Sequence, residues 1–133
     1  RYFNVYGDRM KNKGAYKSVI SVFKNSSRKG EALNIVNDGE QRRDYINVKD
    51  IVDLNILIAL SEEIGKGQPY NLGTNISYSV NEVADMFGGE KKYGERRLEP
   101  TLSISDNNKI KTLTGWSPSI ELKKWIQQLK QLN

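Results

Sequence analysis

The chain has 133 residues, with 21 Lys plus Arg against 16 Asp plus Glu, a net charge of +5, and neither cysteine nor histidine. The first absence excludes a disulfide framework and a thiolate metal site; the second removes the commonest general base and metal ligand. Apolar residues make up 37%, low for a domain that buries its own core, and this composition points to one compact piece of something larger.

In chain order, Arg1 to Tyr6 is short, aromatic and β-branched, and it stops at Gly7, which predicts a strand entering a loop. Asp8 to Gly14 is polar and reads as that loop. From Ala15 to Lys29, Tyr16, Val19, Ile20 and Phe23 recur at helical spacing ahead of Gly30. Leu33 to Val36 predicts a short strand. Asn37-Asp38-Gly39 signals a turn, since Asp-Gly accepts the positive φ of a tight hairpin, and Asp44 to Val48 reads as a second strand. Asp50 is expected to cap the next helix, with Asp53 adding negative charge to its first turn. That helix, to about Ile64, is apolar on most of its circumference and so wants burial on more than one side; Gly65 and Gly67 end it.

Tyr70 to Leu72 is another short strand, stopped by Gly73. Ser79 with Glu82 forms a capping box ahead of Val80, Val83, Ala84 and Phe87, and Gly88-Gly89 closes that helix. Leu102 to Ile104 is strand-like, and Asp106 is expected to cap a short helix ending at Gly115. Leu122, Trp125, Ile126 and Leu129 form the apolar stripe of a last helix. Strands alternate with helices, so the fold class is α/β. Most lysines are scattered over solvated faces, whereas Arg42-Arg43 and Arg96-Arg97 are close pairs in loop-like contexts. No apolar run is long enough for a membrane span, and no signal peptide is visible in a chain that starts at Arg1, so a cytoplasmic protein is expected.

Four segments carry a family resemblance: RYFNVYGDRM (1–10), LNIVNDGEQRRDYINVKDIVDLNILIAL (33–60), PYNLGTNISYSVNEVADMFGG (69–89) and ERRLEPTLSISDNNKIKTLTGWSPSIEL (95–122). In this order they resemble the C-terminal part of the NAD-dependent epimerase/dehydratase family, the extended short-chain dehydrogenases that act on nucleotide sugars. NDGEQRRD and SVNEVADMFGG look most like its UDP-glucose 4-epimerase-like branch. The resemblance implies an extended Rossmann-type parent whose cofactor-binding half, with NAD and a catalytic Tyr-x-x-x-Lys pair, is absent here. Residues 1–7 would be the end of a Rossmann strand and 15–133 a mixed α/β substrate domain.

The same resemblance implies site residues. Asn4 would contact the substrate diphosphate, and Phe3 would lie near the nicotinamide of the cofactor. Leu33, Asn34 and Val36 would form the edge strand along the nucleobase. Arg43 would bind the diphosphate, Arg96 would be a second arginine on the phosphates, and Glu99 would accept from the ribose hydroxyls. The residue types suit these tasks, because a guanidinium fork meets phosphate oxygens and a carboxylate accepts from a vicinal diol. Structural roles stand beside them: Asn4 capping a turn, Phe3 and Leu33 in the core, Arg43 paired with Asp44, and Arg96 with Glu99 as a surface pair. Two departures bear on the loops. Asp8 stands where the family has proline, and Arg96-Arg97-Leu98-Glu99 where it has Arg-Pro-Gly-Asp/Glu.

The implied parent activity is epimerisation at a sugar carbon through hydride transfer to NAD, with a UDP-sugar as partner. A dTDP-glucose 4,6-dehydratase or UDP-glucuronate decarboxylase is the alternative within the family, and a non-catalytic basic binding or self-association module the alternative outside it. No catalytic and no metal-binding residue is assigned. Tyr45-Ile-Asn-Val-Lys49 matches Tyr-x-x-x-Lys literally, but it reads as a strand, where four residues span about 13 Å rather than one helical turn. Gly65-x-Gly67 follows a helix, not a strand, and is no dinucleotide fingerprint. The chain alone is therefore expected to be inactive, not to bind NAD, and to self-associate through the surface that would face the missing half. Nucleic acid and membrane are not expected partners.

Overall fold

The computed structural model describes residues 1–11, 14 and 17–131. Strand pairing is mostly parallel and joins distant segments. β1 (Val5–Tyr6) pairs with β4 (Ile46–Asn47), and β2 (Leu33–Ile35) with β6 (Lys91–Tyr93), both parallel. β3 (Arg42–Asp44) lies between antiparallel β5 (Ser77–Ser79) and parallel β7 (Leu102–Ser103). The helices are α1 (Val19–Lys29), α2 (Val48–Leu60), α3 (Val80–Phe87), α4 (Asn108–Thr114) and α5 (Leu122–Gln131).

Two apolar clusters result. In the larger, Phe23 of α1, Val83 and Phe87 of α3, and Trp125 and Ile126 of α5 close over Leu33 and Ile35 of β2. Its aromatic pairs meet edge to face: Phe23 with Phe87 at 6.1 Å, and Tyr6 with Trp125 at 4.9 Å. The smaller gathers Ile46, Ile51 and Leu54 with Leu72, Ile110 and the partly buried Trp116. Two buried carboxylates tie loops to these layers. Asp44 accepts from the backbone N–H groups of Thr74, Asn75 and Ser105 and from the hydroxyls of Thr74 and Ser105. Asp50 accepts from Ser119 N–H and Oγ and from Ile120 N–H, fastening the lead into α5 to the first turn of α2.

Several expectations need correction. The first helix starts at Val19 rather than Ala15, because Ser18 takes an extended conformation and caps it through Ser21 N–H; Ala15 and Tyr16 themselves lie outside the described residues. The predicted opening strand is cut short at Asn4, whose φ of 33° breaks the extended run. The 37–39 turn forms, with φ of 60° at Asn37 and 77° at Gly39, but it joins no hairpin. β5 and β7 occupy both edges of β3, so β2 pairs elsewhere. The strand expected over Asp44 to Val48 splits at Tyr45 into β3 and β4, and Val48 already belongs to α2.

Asn47, not Asp50, caps α2, accepting from Lys49 N–H at 2.9 Å. Asp50 is the acidic residue of that first turn, and Asp53 lies beyond it. The helix stops at Leu60, because Ser61 is extended. Tyr70 to Leu72 contributes only the Tyr2–Leu72 bridge. Asp106 sits one residue ahead of the cap Asn107, accepting from Asn108 N–H. The Ser79–Glu82 capping box and the Gly115 stop form as expected. The burial on more than one side that its composition asks for is not met within the chain: α2 buries Ile51 and Leu54 but leaves Val52, Ile56 and Leu60 exposed. No helix among the described residues is long and apolar enough to cross a membrane.

Candidate functional site

Successive side chains of a strand point to opposite faces, and β3 uses this to separate its two arginines. Arg42 faces α3, where its guanidinium meets Glu82 at 2.9 Å and donates to Ser77 O at 2.8 Å. Gln41, Arg43 and Tyr45 face a cleft of about 700 Å³. The arginine pair expected in a loop thus stands in a strand, with one member holding the fold and the other facing open space.

Arg43 is largely buried and aimed by three contacts. Its Nη1 donates to Arg42 O at 2.9 Å and Pro100 O at 2.7 Å, and its Nη2 reaches Glu99 Oε2 at 3.3 Å. Asp44 is not its ion-pair partner, since that carboxylate points away into the Thr74–Ser105 network. Asn4 enters from the position just ahead of β1. Its Nδ2 donates to Asp44 O at 2.8 Å, which holds the side chain at the cleft wall. Asn34 and Val36 line the cleft from β2 and its end, as do Glu99 and Pro100.

The structure therefore brings Asn4, Asn34, Val36, Arg43 and Glu99 into one cleft. It does not bring in the other three sequence candidates. Leu33 is fully buried in the larger apolar cluster, and its N–H is taken by Glu90 O at 2.8 Å. Phe3 is half-buried, with its N–H donating to Leu72 O. Arg96 is exposed in an adjoining hollow of about 600 Å³ with Asn37, Asp38 and Glu40. Its neighbour Arg97 lines both the hollow and the cleft, held by its N–H to Asn37 Oδ1 at 2.6 Å.

Gln41, Tyr45, Lys17 and Arg97 also line the cleft, and the sequence reading singled out none of them for it. Gln41 and Tyr45 stand two residues either side of Arg43, so strand periodicity was the available signal. Burial pushes the Tyr45 phenol up to about 12, with Arg43 beside it pulling down and Glu99 pushing up. The phenol is therefore protonated, and able to donate, at neutral pH.

A second cleft, of about 570 Å³, lies between Val5–Met10 and Val48, Lys49, Val52 and Asp53. Lys49 opens onto it from α2, whereas Tyr45 faces the first cleft, so the literal Tyr-x-x-x-Lys match is not a working pair. Nor is a dinucleotide cradle formed among the described residues. Gly65 and Gly67, at positive φ, sit in the loop after α2 rather than between a strand and a helix N-terminus, so no hydride step is assigned to this chain. Among the described residues no cluster of acidic side chains could hold a metal ion.

The model of the NAD dependent epimerase/dehydratase family matches residues 1–73. A UDP-N-acetyl-alpha-D-glucosaminuronate decarboxylase from Bacillus cytotoxicus is 38% identical over 98% of this chain and 43% of its own length. A UDP-glucose 4-epimerase from Mycolicibacterium smegmatis is 30% identical over 92% of this chain and 41% of its own length. The crystal structure of UDP-glucose 4-epimerase with UDP-glucose from Thermotoga maritima superimposes with a TM-score of 0.86 at 31% identity, over 100% of this chain and 46% of that one. The chain thus spans less than half the length of the relatives it matches. In sequence and in α/β fold, the chain belongs to the NAD-dependent epimerase/dehydratase family.

Proposed function

We propose that this chain is the nucleoside diphosphate-sugar binding part of a cytoplasmic, NAD-dependent nucleotide-sugar epimerase, most like UDP-glucose 4-epimerase. The cleft gathering Asn4, Asn34, Val36, Arg43 and Glu99 carries the reading. Arg43, pre-aimed by two carbonyls, meets the diphosphate, whose oxygens suit a guanidinium fork. Asn4 stands beside it for the same group. Glu99, acceptor-only, takes the ribose diol, and Asn34 and Val36 flank the base. Arg97 and Arg96 add positive charge from the cleft rim and the adjoining hollow.

On this reading the cofactor half lies outside the chain, with Phe3 at the junction near the nicotinamide. Residues 1–7 end a strand of that half, and 15–133 form the substrate domain. The exposed Val52, Ile56 and Leu60 of α2 face it, and in its absence they drive self-association. NAD held outside this chain would supply hydride acceptance and return at the sugar carbon; this chain's part is to hold the substrate. A nucleotide-sugar decarboxylase is the second reading, favoured by the 38% identity to the Bacillus cytotoxicus enzyme.

The test follows the intact protein carrying this chain by NMR with UDP-glucose and, separately, with UDP-glucuronate. The 4-epimer of UDP-glucose is expected. Release of carbon dioxide from UDP-glucuronate selects the second reading, and binding of neither nucleotide sugar overturns both.

A further inference from the structure

After β1 the chain folds into a turn over residues 7–10, closed by Met10 N–H on Gly7 O at 3.4 Å. Asp8 holds the second position of that turn, where a proline ring would stiffen the backbone from within. Here the side chain reaches outward instead. Asp8 Oδ1 accepts from Trp125 Nε1 at 3.1 Å, and Asp8 O accepts from Lys24 Nζ at 3.1 Å. The turn is thus tied to α5 and α1, which meet in the larger apolar cluster.

The tie matters at both ends. Trp125 is 7% exposed, and a buried indole N–H needs an acceptor. Lys24 stands 5.9 Å from the centroid of the same ring. Burial and Arg28 lower its ammonium from the ordinary value, and Asp8 pulls it back up. On the other side, the turn leads to the cleft. Met10 Sδ accepts from Ser18 Oγ at 3.6 Å, and Ser18 caps α1 by accepting from Ser21 N–H at 3.2 Å. Gly14, Lys17 and Ser18 line the cleft that holds Arg43, whereas residues 7–10 line the second cleft. One stretch of chain serves both clefts, and Asp8 fastens its first turn.

We propose that Asp8 is a positioning residue. It latches the 7–10 turn to Trp125 and Lys24, and through Met10 and Ser18 it holds the α1 side of the Arg43 cleft in its binding shape. The bearing on a ligand rests on the nucleotide-sugar reading given above; the latch itself does not.

The test compares Asp8→Ala with Asp8→Pro in the intact protein. Both remove the acceptor of the Trp125 indole, but only proline stiffens the turn in its place. The readouts are melting temperature, UDP-glucose affinity by calorimetric titration, and amide hydrogen exchange at residues 9–11 and 17–18 without ligand. Both variants should melt below wild type, because both leave a buried N–H without its acceptor. Asp8→Ala should bind UDP-glucose about three- to tenfold more weakly, the worth of one ordinary hydrogen bond, and should exchange faster. Asp8→Pro should bind and exchange like wild type. If Asp8→Ala binds and exchanges like wild type, Asp8 is no latch. If both variants lose affinity in step with melting temperature, Asp8 is a packing residue and the proposal falls. If wild type does not bind UDP-glucose, the nucleotide-sugar reading falls, and exchange alone decides the latch: faster in Asp8→Ala and restored in Asp8→Pro upholds it, and any other pattern overturns it.

Discussion

Asp44→Asn is expected to destabilise the protein by about 3 kcal/mol, although it changes one atom and no shape. The carboxylate is fully buried and receives five hydrogen bonds. Oδ1 accepts from Thr74 N–H at 2.8 Å and Oγ1 at 2.6 Å. Oδ2 accepts from Asn75 N–H at 3.0 Å, Ser105 N–H at 3.1 Å and Ser105 Oγ at 2.6 Å. An amide must put an NH2 at one of these oxygens. At Oδ2 it would face two backbone N–H donors; at Oδ1 it would face one. The hydroxyls can turn, but the N–H groups cannot. At least one buried donor is orphaned, at about 1–3 kcal/mol, and the surviving bonds lose their charge assistance, worth roughly another 1 kcal/mol between them.

The assay is urea unfolding followed by tryptophan fluorescence, since Trp125 reports on the larger apolar cluster and Trp116 on the smaller. About 3 kcal/mol should move the midpoint down by roughly 1–2 M urea. Asp44→Ala, which takes the carboxylate acceptor from all five donors, should be worse. A midpoint for Asp44→Asn within about 0.3 M of wild type would refute the idea that this carboxylate locks the Thr74 and Ser105 loops to β3.

Arg43→Ala should weaken UDP by about 1.5–3 kcal/mol and leave uridine alone, with Arg43→Lys recovering only part; calorimetric titration showing equal loss of both ligands would leave Arg43 a purely structural residue. Gly73→Ala should cost about 1–3 kcal/mol in thermal unfolding, because a Cβ there would overlap Ser105 Oγ and come within 2.6 Å of Asp44 Oδ2; a wild-type melting temperature would mean that loop gives way freely. The Tyr45 phenol, raised from 10.0 to about 12 in the fold, contributes stability that is complete below pH 10 and is lost as pH climbs through 12. Unfolding free energy measured from pH 9 to 12 should therefore fall less steeply in Y45F than in wild type, and identical slopes would count against the buried phenol.

The elements most legible in the sequence were those whose signal is local and apolar. The Ser79–Glu82 box, the Gly115 stop and the Leu122–Leu129 stripe each need only a few neighbouring residues to be recognised, and each formed as read. β5 and β6 escaped, because Ser77–Ser79 and Lys91–Tyr93 carry little apolar alternation and become strands only where β3 and β2 offer them an edge. Asp38-Gly39 misled for the same reason: the turn is local, but what it connects is decided by distant partners. Asp50 looked like a cap from its position, yet its acceptors were needed 69 residues away at Ser119. In the cleft, resemblance pointed to Arg43, Asn4 and Glu99. Gln41 and Tyr45 needed the knowledge that Arg43 stands in a strand, which its polar flanks concealed.

The parallel pairs β1–β4, β2–β6 and β3–β7 also shape how the chain reaches this arrangement. Each closes a loop of roughly 40–60 residues, and the one nearby hairpin the sequence offers is declined. Contacts so far apart reward the chain only after the closure entropy has been spent, which slows folding relative to a helical bundle of this size. Until β5 and β7 arrive, β3 presents two unsatisfied edges. The arginines and the buried aspartate at that strand are poor templates for a stranger's β-strand, so the same charges keep its open edges from pairing with the wrong chain.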